Sequence, residues 1–174
     1  MTEKPPQTSR RPERGGRDRR VLVLACGDPT RGDDAAALLA ADRLRAGPSG
    51  RTVAAVEIRP VGQLEPDDLA DLGPAARVVV IDTVRGIPAG TIVRRSLSEL
   101  PKGGPSPRSS HLLPLRDVLA LVEVLRGSLP EGAFVGLGGE TFELGAGLSA
   151  PVRAALPAYV QAIADEVLRQ SKRQ

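Results

Sequence analysis

Apolar and polar positions along this chain alternate in blocks that match short strands and amphipathic helices. The runs VLVLAC (21–26) and RVVVID (77–82) are short, continuous and β-branched, as expected of strands buried on both faces of a parallel sheet. Further runs at 52–58, 90–94 and 133–138 predict three more strands. Between them, residues 34–46 read as a helix and 63–72 as a shorter one. The clearest helical pattern spans 114–127. There Leu115, Val118, Leu119, Val122 and Leu125 form one stripe, Pro114 stands near the start and Gly127 at the C′ position. A final helix after Ser149 sets Val152, Leu156, Val160, Ile163 and Val167 on one side, and Pro157 is expected to kink or divide it. This alternation predicts a three-layer α/β/α sandwich with a mostly parallel, twisted, five-stranded sheet.

Composition sharpens the picture at the N-terminus. The formal charge of +3 looks basic, yet residues 1–20 hold seven Lys or Arg against three Asp or Glu, and the remainder is close to neutral. That tail has no apolar periodicity and is rich in Pro, Gly and Arg, so residues 1–18 are expected to be disordered and 19–174 to form one domain. An apolar fraction of 41% with only 2% aromatics predicts a core of aliphatic side chains. A near-neutral body almost without aromatics offers neither a basic face nor a base-stacking platform for nucleic acid. No secretory h-region or long apolar span is evident, so a cytoplasmic location without a membrane partner is expected. The lone Cys26 excludes an intramolecular disulfide and a cysteine-rich zinc site.

In open α/β sheets, ligands bind beyond the carboxyl ends of the strands. Three aspartates, Asp28, Asp33 and Asp34, follow the first strand in CGDPTRGDDA. Asp82 closes the strand at 77–82, and His111, the one histidine, precedes the clearest helix. These groups can converge on one rim. One aspartate of the cluster is expected to cap a helix, Asp33 being the candidate, and another to serve as a ligand. One imidazole with two carboxylates suits a divalent transition metal such as nickel or zinc. Capping by Asp33 and a loop-anchoring hydrogen bond from His111 remain the structural alternative.

At this point the residues resemble a known family, the hydrogenase maturation endopeptidases, which trim the C-terminal extension from the large subunit of nickel-iron hydrogenases after nickel insertion. The family's strand and Gly-Asn-Pro-x-x-x-Asp-Asp/Glu-Gly turn is similar to CGDPTRGDDA, and its strand ending in Asp to VVVIDTVRGIPAGTIV. Its Ser-x-His segment before a helix is similar to SSHLLPLRDVLALVEVL, and its late Gly-Leu-Ser to FELGAGLSAPVRAALP. The resemblance covers residues 21 to about 168. It implies that Asp34, Asp82 and His111 contact metal, that the partner is a large-subunit precursor, and that the metal is nickel presented by that precursor. Asp28 stands where the family usually has Asn, and Ala35 where it usually has Gly. Within this scheme Asp28 takes a supporting or proton-accepting role.

Other functions are less well served by the residues. A thiol protease would need Cys26 with His111, but a cysteine finishing a buried strand is usually an inert small hydrophobe. GAGLSA (145–150) fits a dinucleotide-binding pattern, yet too few residues follow it to complete a βαβ unit. A non-catalytic nickel-binding assembly factor on the same fold is the alternative function. Glu140 and Glu143 are expected to lie in a polar connection into the last helix, and Ser109 and Ser110 to shape the loop that presents His111.

Overall fold

A computed structural model describes residues 20–47, 56–100, 108–109 and 114–172. The elements run β1 (Val21–Cys26), a 3₁₀ turn (Gly32–Ala35), α1 (Ala36–Ala46), β2 (Val56–Val61), α2 (Asp67–Ala70), β3 (Arg77–Arg85), β4 (Ile92–Ser96), β5 (Arg108–Ser109), α3 (Leu115–Arg126), β6 (Glu131–Gly138) and α4 (Ala150–Lys172). The sheet order is β2-β1-β3-β6-β4. Its first four strands are parallel and β4 is antiparallel to β6, so the five-stranded, mostly parallel sheet expected from the sequence is present. The two-residue β5 adds an antiparallel pair at the far end of β3.

Successive strand residues face opposite layers, and the central strands need apolar residues at every position. Val21, Val23 and Ala25 of β1, with Val79 and Ile81 of β3, pack under α1 and α4. Leu22, Leu24 and Cys26, with Val78, Val80 and Val84, pack under α2 and α3. The edge strand β2 is only half-covered and carries Glu57, Arg59 and Pro60, residues that discourage pairing of an exposed edge with another chain. Alanines 36, 37, 40 and 41 let α1 sit close against the sheet and α4.

Three helical expectations are corrected. The predicted segment 63–72 is helical only over Asp67–Ala70; the chain enters it through a turn in which Asp68 Oδ2 accepts the Glu65 N–H at 2.9 Å, a local bond that competes with a longer helix. On α3, Val118, Leu119 and Val122 are buried but Leu125 is 60% exposed, because the buried arc turns toward Leu115 and Leu119 and leaves Leu125 at its margin. Pro157 does not divide α4, which runs unbroken through it. Pro157 lies on the exposed face, where water can hydrate the carbonyl deprived of its partner. Among the described residues, no helix is long and apolar enough to cross a membrane. The tail at 1–18 lies outside the described residues, as do 52–55 of the second predicted strand.

Candidate active site

The rim at the carboxyl ends of β1 and β3 begins with a glycine that permits close contact. Gly27 has φ +140, and a Cβ there would run into the Asp34 carbonyl, so the loop can fold back on itself only with glycine. Its N–H donates to the Gly62 carbonyl at 3.1 Å, fixing the loop to the end of β2. The Asp28 N–H then donates to Asp34 Oδ2 at 2.9 Å. Asp28 turns its own carboxylate the other way: Oδ1 accepts the Thr30 N–H at 2.8 Å and the Thr30 hydroxyl at 2.6 Å, with Arg31 Nε 3.8 Å from Oδ2. The Thr30 hydroxyl and N–H, with the charge of Arg31, hold the Asp28 carboxyl below its ordinary value. Asp28 is thus a turn-forming residue whose carboxylate is engaged by Thr30 and Arg31.

Asp33 is completely buried and ties this loop to the connection between β6 and α4. Its Oδ2 accepts the N–H groups of Glu140 at 2.9 Å and Thr141 at 3.0 Å, and its Oδ1 that of Ser149 at 2.7 Å. Main-chain bonds from Gly32 to Ala146, Asp33 to Thr141 and Gly145 to Thr30 close the same seam. The capping expectation is therefore corrected. No side chain caps the 3₁₀ turn or α1; Asp33 instead satisfies the chain just ahead of α4. Glu140 and Glu143 are exposed in that connection, and GAGLSA forms its end and the first residue of α4, after which no strand follows among the described residues.

Asp34 and Asp82 are both buried, at 2% and 4% exposure. The 3₁₀ turn that carries Asp34 packs on β3, and the Asp82 carboxylate is oriented by the neighbouring Thr83 N–H, 2.7 Å from Oδ1. Cys26, buried at the end of β1, is close enough to feel the charge of both. Burial, and then the charges of Asp82, Asp68 and Asp34, push its thiol well above the ordinary value, which disfavours the thiolate a cysteine protease requires. From the opposite layer, the buried Tyr159 hydroxyl approaches the carbonyls of Val135 at 2.9 Å and Asp82 at 3.2 Å. Burial first, and then Asp82 and Cys26, push that hydroxyl's pKa well up. Sequence reasoning missed Tyr159, although it is the one tyrosine of the chain.

His111 and Ser110 lie outside the described residues. Ser109 pairs with Val84 in the antiparallel β3–β5 ladder, which brings the chain to the level of β3 two residues past Asp82. Asp34 and Asp82 offer oxygen donors on one rim, each oriented by a backbone N–H as metal-binding carboxylates commonly are. Among the described residues, no group of three or more His, Cys, Asp or Glu side chains stands ready to hold a metal ion.

Sequence comparison decides the family. The family model described as HycI, hydrogenase maturation protease, matches residues 51–166. The chain belongs to the hydrogenase maturation protease family. No curated protein matches it. Among solved structures, the protein is similar to the [NiFe] hydrogenase maturation protease HybD from Thermococcus kodakarensis, with 27% identity over 84% of this chain and 97% of that one and a TM-score of 0.64. An endopeptidase from Escherichia coli is 25% identical over 88% and 94%, with a TM-score of 0.68. The hydrogenase maturating endopeptidase HybD from E. coli, 22% identical over 88% and 94% with a TM-score of 0.67, shares the fold. The protease's two departures from the family turn are both accommodated. Ala35 has φ −70, a conformation that does not require glycine, and the extra charge of Asp28 is met by Thr30 and Arg31.

Proposed function

We propose that the protein is the endopeptidase that removes the C-terminal extension of a nickel-iron hydrogenase large-subunit precursor once nickel has been inserted, with Asp34, Asp82 and His111 as the residues that meet the metal. The observation that carries this reading is the juxtaposition of two buried, N–H-oriented carboxylates on one rim with a strand pair that ends two residues before the single histidine. From Ser109, two residues of chain span about 7 Å, and Ser109 is paired two positions from Asp82.

In this reading nickel is part of the substrate. A metal beside a peptide group supplies carbonyl polarisation or an activated water. The protein's own part is to recognise and orient. Asp34 and Asp82 add ligation energy only for a precursor that carries the ion, so loaded and empty precursors differ in affinity. Asp33 holds the Asp34 loop against the start of α4, and Asp28 shapes the turn.

The test is incubation of the purified protein with nickel-loaded and nickel-free precursor, followed by mass spectrometry. Release of one C-terminal peptide from the loaded form alone is the expected result. Stoichiometric binding to the loaded precursor without cleavage would make the protein an assembly factor instead.

A further inference from the structure

The seam that ties the first loop to the start of α4 displays a leucine. In the connection between β6 and α4 the Ala146 N–H donates to the Glu143 carbonyl at 3.2 Å, closing a four-residue turn whose third position, Gly145, has φ +77, where glycine is favoured. Leu144 occupies the second position and is 73% exposed. Its setting is pinned. The Gly145 N–H donates to the Thr30 carbonyl at 2.7 Å and the Gly32 N–H to the Ala146 carbonyl at 3.2 Å, while Asp33 holds both ends of the connection through Thr141 and Ser149. The same bonds place the turn on the rim of the site: Gly145 is bonded to Thr30, and two residues earlier the Asp28 N–H is bonded to the Asp34 carboxylate. Pro29, one residue before Thr30, is exposed as well. Two exposed carboxylates, Glu140 and Glu143, flank Leu144 in the chain, and among the described residues neither enters an ion pair.

Single apolar residues are common on protein surfaces and need no explanation by themselves. A leucine held at the tip of a pinned turn differs from these, because little backbone freedom is lost when it is covered and its burial appears as affinity. The first loop stands between this turn and the Asp34 carboxylate, so Leu144 flanks the proposed metal contact, a place suited to the body of a partner. Glu140 and Glu143 add negative charge, and the surface complementary to such a patch is apolar at its centre and basic at its edge. Resting on the processing function proposed above, we infer that Leu144, flanked by Glu140 and Glu143, is a docking residue that enters an apolar depression edged by Lys or Arg on the body of the large-subunit precursor. Affinity gained there does not depend on the ion. Asp34 and Asp82 separate loaded from empty precursor, whereas Leu144 strengthens the binding of both alike.

The experiment measures calorimetric binding of nickel-loaded and nickel-free precursor, and processing kinetics, for the full-length protein, Leu144→Ser, Leu144→Met and the double variant Glu140→Gln with Glu143→Gln. Leu144→Ser should weaken the binding of both precursors about tenfold and raise KM by a similar factor, with kcat and the thermal midpoint in place. Leu144→Met, which keeps the apolar volume, should restore most of the affinity. The double glutamine variant should reduce the salt dependence of precursor binding, and an unchanged dependence overturns the basic edge. Unchanged Kd and KM for Leu144→Ser overturn the inference while leaving the processing function standing. So does a loss confined to loaded precursor, which would put Leu144 at the metal contact, or a lowered thermal midpoint, which would make it a structural residue. Sedimentation of the protein alone supplies one more outcome: a dimer that Leu144→Ser dissociates, with precursor binding unaltered, assigns the leucine to a second copy of the chain and overturns the precursor contact. If the unaltered protein neither binds nor cleaves loaded precursor, the functional reading fails and this inference falls with it.

Discussion

The carboxylate of Asp33 accepts the N–H of Ser149 at 2.7 Å, a bond between residues far apart in sequence that joins the first loop of the rim to the start of the last helix. With the N–H groups of Glu140 and Thr141 on its other oxygen, Asp33 satisfies three donors that would otherwise be poorly paired in a region with little solvent. Asp33→Asn places an amide N–H₂ against donors. Stability should fall by about 2 to 4 kcal/mol, which for a chain of this size lowers the thermal midpoint by about 5 to 15 °C. Differential scanning calorimetry measures this directly, and a shift below about 1 °C would mean that the seam is held by its main-chain bonds alone.

Asp34→Asn, Asp82→Asn and His111→Ala should each slow precursor processing by about 100-fold or more, since each removes a proposed contact to the substrate's metal. Because Asp34 and Asp82 are buried, stability has to be followed beside activity. Asparagine retains an oxygen to accept the N–H of Asp28 or Thr83, so both asparagine variants should fold cooperatively in thermal melts. Full processing by the His111 variant would remove the imidazole from the mechanism.

Stability should decline on the alkaline side through Cys26 and Tyr159. Both groups are raised in the folded protein, chiefly by burial, above ordinary values of 9.0 and 10.0. Their contribution is therefore fully present below those values and is lost as pH rises toward the folded ones, because only the unfolded chain then ionises. Cys26→Ala should flatten the earlier part of this decline in urea titrations between about pH 8 and pH 11. Cys26→Ser should process precursor at close to the normal rate, and the native thiol should resist alkylation until the chain unfolds.

Asp28 acts in the opposite direction. Its carboxyl lies below the ordinary value of 3.8, first through the Thr30 hydroxyl, so its contribution to stability is present above that value and is lost as pH falls through the folded one. Thr30→Ala should move the Asp28 titration upward in carbon-detected NMR. A titration left in place would assign the effect to the Thr30 N–H and Arg31 instead.

The sheet was legible because buried parallel strands must be apolar at consecutive positions, as β1 and β3 are, and because ligand sites in such folds follow strand ends, which singled out Asp34 and Asp82. The length of α2 was not legible, since its hydrophobic spacing is compatible with a longer helix and the bond from Glu65 to Asp68 that marks its start is local. Nor was the role of Asp33: its three partners lie more than 100 residues away in sequence, and helix-start statistics see only the residues that follow. His111 lies outside the described residues, and its proposed role rests on the family resemblance together with the register of β5.

Tyr159 makes the floor beneath Asp82 optically distinct. The chain contains one tyrosine and no tryptophan, so near-ultraviolet absorption and emission in the tyrosine band come from a single chromophore, and its phenol group touches the main chain of the strand that bears Asp82. A change in that signal when a divalent ion is added to the protein alone therefore has one local source, and the proposed site can be watched without any attached dye.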